Sequence, residues 1–210
     1  TWDVLRGSRR PRLAAGLAVG AALGAAGATF QSVARNDLAA PEILGVTQGA
    51  HLAVTACAAF GLVLPVLGSS GIAFLGGIGA AALVMVVSTG GAAGPTRLVL
   101  AGSAISLLCA SLTTTLLILF EQETLGLYAW GQGTLLQINF STTGPLSPVL
   151  LGAVAVLVVL GHRLDLLAMG DDAAAVLGVR VRRTRLTAVL LAVLLTAVSV
   201  TIAGPVGFVG

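Results

Sequence analysis

Long uncharged stretches separated by short charged segments dominate the chain. A helix needs about 20 consecutive apolar residues to cross the ~30 Å hydrocarbon core of a membrane. Every uncharged stretch is long enough for one or two such crossings. The stretches cover residues 13–34, 43–96, 98–120, 124–162 and 186–210. The pattern therefore predicts a chain that crosses a membrane several times.

The predicted fold class is all-α, a polytopic bundle of about six transmembrane helices. Strands of membrane barrels alternate polar and apolar residues over about ten positions, and these stretches lack that alternation. A helix also satisfies its own backbone hydrogen bonds, as lipid requires. We place spans at about 13–34, 46–66, 71–89, 97–119, 146–163 and 184–203, with turns at 68–71 and 90–95.

Composition supports the membrane prediction and narrows the chemistry. Hydrophobic residues make up 57% of the chain and charged residues 9%, whereas soluble domains carry about 25% charged residues. Cys57 and Cys109 lie inside apolar stretches, so we interpret both as buried thiols. Glu121 and Glu123 are interpreted as solvated carboxylates, and no GxxxxGK[ST] motif is present. We therefore predict no metal, no cofactor, no nucleic-acid partner and no catalytic residue.

The arginines indicate an orientation, since basic residues concentrate on the cytoplasmic side. With six spans, one side receives seven arginines: Arg35, Arg97, Arg163, Arg180, Arg182, Arg183 and Arg185. This side is predicted to be cytoplasmic. A second cluster, residues 6–12 with four arginines, falls on the opposite side. That cluster is either an anchor at the lipid headgroups or a basic surface that docks an acidic protein.

Several motifs occur together in a recognisable order. Residues 9–13 read RRPRL, residues 27–31 read GATFQ, and residues 35–46 read RNDLAAPEILGV. Further on, RLVLAG stands at 97–102, WGQG at 130–133, LDLLAMGDDAAAVLGV at 164–179, and AGPVGFVG at 203–210. As a set, they closely resemble the iron-siderophore and cobalamin permease family of type II ABC importers. Asp37 departs from that resemblance, because the family has proline there.

The segment 164–180 also has a physical interpretation of its own. Asp171 and Asp172 suit the N-terminus of a helix, where carboxylates interact favourably with the helix dipole. Residues 173–177 favour helix, and Gly178 is a typical stop. A short helix outside the membrane is therefore predicted. It is either a solvated loop element or a rigid knob that inserts into a groove of a cytoplasmic ATPase.

The resemblance implies a role for particular residues. The family has about ten spans of about 20 residues each, so residues 1–210 correspond to part of a single permease domain, its second to seventh spans. Residues 164–180 match the cytoplasmic coupling segment. The residues implied for ATPase coupling are Gly170, Asp171, Asp172, Ala173, Ala174, Leu177 and Gly178. Arg9 and Arg12 are implied to dock a binding protein, and Asn36, Leu38 and Thr96 to form a cytoplasmic gate.

The implied function is that of a permease subunit in the bacterial cytoplasmic membrane. It passes a ferric siderophore, or a similar bulky chelate such as haem or cobalamin, from a binding protein to the cytoplasm. The implied partners are ABC ATPase subunits, an extracytoplasmic binding protein, a second permease subunit and the lipid bilayer. The alternative is a secondary transporter or channel, for which His51 is the one candidate coupling residue within a span.

Overall fold

The computed structural model describes residues 10–36, 39–41, 45–62, 65–88, 95–122, 124, 144 and 146–205. Within these ranges the chain is all-helical, as expected. Seven helices are present there: α1 (Arg10–Ala34), α2 (Val46–Ala59), α3 (Val66–Ser88), α4 (Pro95–Leu119), α5 (Ser147–Ala168), α6 (Asp171–Val176) and α7 (Val181–Ala203).

Five of the helices described, α1, α3, α4, α5 and α7, are long and apolar enough to cross a membrane. The span expected at 46–66 ends early, because α2 has 14 residues and is about 21 Å long at 1.5 Å per residue. Gly61 stops it in a left-handed conformation, with φ +73°. The amides of Gly61 and Leu62 donate to the carbonyls of Ala58 and Cys57, both at 2.9 Å. These two bonds form a Schellman motif.

The turn expected at residues 68–71 is wrong, since these residues lie inside α3. Helix α2 instead ends at Ala59 and α3 begins at Val66, directly after Pro65, a residue that cannot lie in a helix interior without breaking it. Glycine and serine within a membrane helix are tolerated because they let neighbouring helices approach closely. The remaining predicted spans agree with the helices to within a few residues at each end.

Helix α7 lies at the centre of the bundle and packs against α1, α2, α3 and α5. Its second half is almost continuously buried, from Ala192 to Ala203. The main apolar core forms where α1, α5 and α7 meet, around Phe30, Leu150 and Leu195. Large apolar side chains remain exposed on the outside of α3, α4 and α5. An apolar exterior of this kind is what a bilayer requires of a helix bundle.

Helices α2 and α3 touch through small residues. A Cβ atom added to Gly49 would lie 2.5 Å from the Ala80 Cβ and 2.6 Å from the Gly76 carbonyl oxygen. A Cβ atom on Gly76 would lie 2.5 Å from the Ala53 Cβ and would also collide with the Gly49 backbone. We call these four residues, Gly49, Ala53, Gly76 and Ala80, the α2–α3 seam. Its helices meet backbone to backbone, so any added side chain has to push them apart.

Candidate functional site

The coupling segment, residues 164–180, connects the last turn of α5 to the first residues of α7 and contains all of α6. The short helix predicted there is present at Asp171–Val176. It starts at Gly170, whose φ of +130° is a backbone conformation open to glycine and costly for other residues. The Ala174 amide donates to the Gly170 carbonyl at 3.0 Å and closes the first turn.

A Schellman motif ends α6 at the glycine that the sequence indicated as its stop. Gly178 has φ +81°, and its amide donates to the Ala175 carbonyl at 3.0 Å. The Val179 amide donates to the Ala174 carbonyl at 2.9 Å. The last carbonyls of the helix therefore find partners within the segment. These bonds fix the direction in which the chain leaves α6 and enters α7.

An apolar cluster holds α6 against the bundle. Ala174, fully buried, meets Leu164 and Leu167 of α5 and Ala188 of α7. We call these four residues the coupling cluster. Val33, from the last turn of α1, packs against it. Because α6 buries a methyl group and not a long side chain, its backbone lies close to the ends of α5 and α7.

The outer face of α6 is apolar and exposed. Val176 is 88% exposed and Leu177 is 59% exposed, while Met169, just before the helix, is also exposed. Asp172 and Ala173 are exposed on the same short element. Large apolar side chains exposed together on a short helix between two long ones are typical of a protein-binding surface. Sequence reasoning did not single out Met169 and Val176, although bulky apolar residues in a loop between spans are a usable signal.

Arg35 connects the end of α1 to the coupling segment. Its Nε atom donates to the Leu167 carbonyl at 3.1 Å. That carbonyl also accepts the Gly170 amide at 3.2 Å, so it lies at the turn from α5 into α6. Arg35 has φ +50°, a left-handed conformation that costs a non-glycine residue roughly 1–2 kcal/mol. The sequence indicated Arg35 as an orientation signal and as the first residue of the motif at 35–46, without indicating this contact.

The gate residues that the resemblance implies are only partly described. Asn36, half-buried, follows Arg35 directly. Its amide donates to the Gln31 carbonyl at 3.2 Å, and its own carbonyl accepts the Ala39 amide at 2.9 Å. Leu38 lies outside the described residues. Thr96 falls in the first turn of α4, and its side chain is also outside the described set. Asn36 is thus the gate candidate that directly follows Arg35, the residue bonded to the coupling segment.

Of the two residues that the resemblance implies for docking, the structure describes Arg12, at the opposite end of α1 from Arg35. Arg12 lies in the first turn of that helix and is half-buried, whereas Arg9 lies outside the described residues. Arg12 and Arg35 are separated by about 34 Å along the helix axis, at 1.5 Å per residue. This separation matches the thickness of a membrane core. This separation is compatible with the predicted placement of the two arginines at opposite membrane surfaces, which stays a prediction.

The structure also gives positions for His51 and the two cysteines, to which we assign no role. His51 is buried within α2, one turn beyond the helix start. Cys109 is buried in α4 and Cys57 is half-buried in α2, and both are free thiols. Across the part of the chain that the structure describes, no three His, Cys, Asp or Glu residues come together in a group that could hold a metal ion.

These features define a class: a multi-pass helical membrane protein with a short helix presented between two of its long helices. The sequence model of the FecCD transport family matches residues 1–210, and the chain belongs to that family.

Individual relatives cover the chain almost completely. It is 37% identical over 203 residues to the iron(3+)-hydroxamate import system permease protein FhuB of Salmonella typhimurium, covering 97% of this chain and 30% of the relative. It is 38% identical over 209 residues to the Fe(3+) dicitrate transport system permease protein FecD of Escherichia coli K12, covering 100% of this chain and 65% of the relative. The chain thus spans less than two thirds of the length of either protein.

A solved structure shares the fold. It is an inward-facing conformation of a metal-chelate type ABC transporter, superimposable with a TM-score of 0.83 at 30% sequence identity. The match covers 100% of this chain and 67% of that chain. The arrangement of helices described above is therefore the arrangement found in an ABC transporter.

Proposed function

We propose that this chain forms part of the membrane-spanning permease of an ABC importer that brings a ferric chelate into a bacterial cell. The proposal rests on the short helix α6 in a member of the FecCD transport family. The coupling cluster holds one face of this helix against the bundle, and its outer face exposes apolar side chains. The cytoplasmic membrane is its proposed location. A ferric siderophore is the proposed substrate class, since the relatives are named for ferric hydroxamate and ferric dicitrate transport.

The proposed role of the coupling segment is to receive force from an ATPase. Val176 and Leu177 point outward and would insert into a groove of that partner, where burial of apolar surface stabilises the complex. Asp172, Ala173 and Gly178 would border the contact. Gly170 and Ala174 would hold the helix against the bundle, so that a movement of the ATPase moves α5 and α7 as well.

Transport would proceed by alternating access. A loaded binding protein docks on the extracytoplasmic side through Arg9 and Arg12, whose charges complement acidic residues on its surface. ATP binding brings two ATPase subunits together, and a pair of permease subunits passes the chelate inward. Asn36, Leu38 and Thr96 would narrow the cytoplasmic exit between these two subunits. The permease itself performs no covalent step, and a partner subunit hydrolyses ATP.

The coupling role is tested by co-purification of the full-length protein with its ATPase. Asp172→Arg and Gly178→Arg each add a long cation to the proposed contact, and both should abolish the association. Glu121→Arg is the matched control, because Glu121 is exposed at the far end of α4. Association that survives both changes in the coupling segment would overturn the assignment.

The docking role is tested by the double change Arg9→Glu and Arg12→Glu. The affinity for the binding protein should fall by about tenfold or more, because two attractive charge pairs become repulsive. The loss should be larger at low salt, where exposed charges are less screened. Titration of the binding protein onto the reconstituted permease at two salt concentrations measures this. An unchanged affinity would assign these arginines to lipid anchoring.

A further inference from the structure

Arg35 joins two parts of the molecule that the proposed function treats separately, the coupling segment and the segment that carries Asn36. We propose that Arg35 is a positioning residue that transmits movement of the coupling segment to the end of α1 and so to the cytoplasmic gate. This inference rests on the proposed function, and the experiments below separate the two.

The polar part of the link is the hydrogen bond from the Arg35 Nε to the Leu167 carbonyl, 3.1 Å long. Leu167 lies in the last turn of α5, where carbonyls lack partners within the helix. A cation that binds such a carbonyl also interacts favourably with the negative end of the helix dipole. The same carbonyl accepts the Gly170 amide at 3.2 Å. Arg35 is thus bonded to the turn that starts the coupling helix.

The apolar part of the link involves the side chain of the same leucine. The Leu167 side chain is 1% exposed and belongs to the coupling cluster with Ala174 and Ala188. Val33 of α1 packs against this cluster. Val33, in the last turn of α1, and Arg35, directly after that helix, therefore both contact the coupling segment, one by apolar packing and the other by a charged hydrogen bond. A displacement of α6 has to displace the end of α1 or break these contacts.

The backbone conformation of Arg35 indicates that surrounding contacts hold this residue in place. Among the described residues with a positive φ, every other one is a glycine: Gly45, Gly61, Gly170, Gly178 and Gly204. An arginine is held in the same region at φ +50°. Strained residues persist where the surrounding contacts determine them, and they concentrate at switch regions. The bond to Leu167 is a contact that glycine at this position would lack.

The link continues to the gate segment through the backbone. The Asn36 amide is bonded to the Gln31 carbonyl at 3.2 Å, and the Asn36 carbonyl accepts the Ala39 amide at 2.9 Å. Asn36 is therefore held through its own N–H and its own carbonyl, which belong to the two peptide groups on either side of its Cα. A rotation at Arg35 carries Asn36 with it. The connected path runs from Gly170 through Leu167 and Arg35 to Asn36.

Three substitutions at Arg35 distinguish the contribution of its side-chain bond from that of its backbone conformation. Arg35→Asn keeps a residue that tolerates the left-handed conformation but does not reach Leu167. Arg35→Gly relieves the backbone and also removes the bond. Arg35→Lys keeps both the charge and the reach. The assay uses the full-length permease with its ATPase and binding protein in proteoliposomes, and measures ferric chelate taken up per ATP hydrolysed.

We expect Arg35→Asn and Arg35→Gly to lower uptake per ATP by about fivefold to tenfold, the effect of one lost hydrogen bond on an equilibrium. ATPase association and the ATP hydrolysis rate should remain near those of the wild type. Arg35→Lys should restore at least half of the ratio. A merely structural role would lower uptake and hydrolysis together and leave their ratio unchanged, and that result would overturn the proposal.

A second measurement needs no transport. Amide hydrogen exchange of the full-length protein alone should become about fivefold faster at Gly170 and Ala39 in Arg35→Asn, and much less so in Arg35→Lys, because local opening becomes easier without the bond. Unchanged exchange at both amides would overturn the link even if the wild type imports nothing. Conversely, a wild-type complex without ATP-driven uptake, but with the expected exchange, would refute the proposed function and leave the link intact.

Discussion

The α2–α3 seam and the coupling cluster both rely on small residues, but they use them for different purposes. In the seam, Gly49 and Gly76 bring two backbones together and leave no space for a methyl group. In the coupling cluster, Ala174 buries one methyl group among leucine side chains, and the opposite face of the helix is exposed. The seam makes α2 and α3 one unit. The coupling cluster attaches a helix that can still respond to a partner.

The largest expected effect is on the seam. Gly76→Ala places a methyl group against the backbone of Gly49 and the side chain of Ala53, and overpacking of this kind destabilises by about 1–3 kcal/mol or more. Gly79→Ala is the matched control on the same helix, since nothing lies within 4 Å of its added Cβ. Unfolding midpoints of the two variants in detergent measure the difference. Equal midpoints would show that α2 and α3 separate easily.

An intermediate effect is expected at the coupling cluster. Ala174→Leu adds three carbon atoms at a fully buried position and should loosen α6 at a cost of about 1–3 kcal/mol. Ala175→Leu makes the same change at the exposed neighbouring position and should leave stability unchanged. Limited proteolysis within residues 169–180 reports the difference. Cleavage at the same rate in both variants would mean that the cluster does not hold the helix.

The smallest effect concerns the two glycines that end α2 and α6. Gly61→Ala and Gly178→Ala each force alanine to a positive φ, with nothing within 4 Å of the new Cβ. Each change should therefore lower the free energy of unfolding by about 1 kcal/mol through backbone strain alone. Gly152 lies inside α5, and nothing lies within 4 Å of an added Cβ there either. Gly152→Ala should instead raise the free energy of unfolding by about 0.5–1 kcal/mol. Stabilisation by all three changes would contradict the left-handed turns.

Local signals account for the parts that the sequence predicted well. Helix α6 follows from two aspartates, three alanines and a glycine within eight residues, so its start and stop need no distant contact. Gly61 and Pro65 also indicate the end of α2. The uninterrupted hydrophobicity of residues 46–66, however, favours one long span. At residues 68–71, glycines indicated a turn, although in a membrane helix they serve packing.

Distant contacts account for what the sequence did not predict. Arg35 and Leu167 are 132 positions apart, and their bond depends on how α1, α5 and α7 come together. Neither residue type nor spacing specifies that arrangement. The contact of Gly49 with Gly76 has the same origin, since glycine composition predicts close helices without predicting which pair. The motif residues of the gate and the docking surface remain predictions from resemblance.

The shortness of α6 bears on inhibitor design. Six residues give fewer than two helical turns, and isolated helices shorter than about 12–15 residues are marginal in water. A linear peptide copied from residues 169–180 would be largely unfolded and would lose much of its binding energy to ordering. A competitor of the ATPase contact therefore needs a ring closure that replaces the anchoring by α5 and α7, with the side chains of Val176 and Leu177 left free.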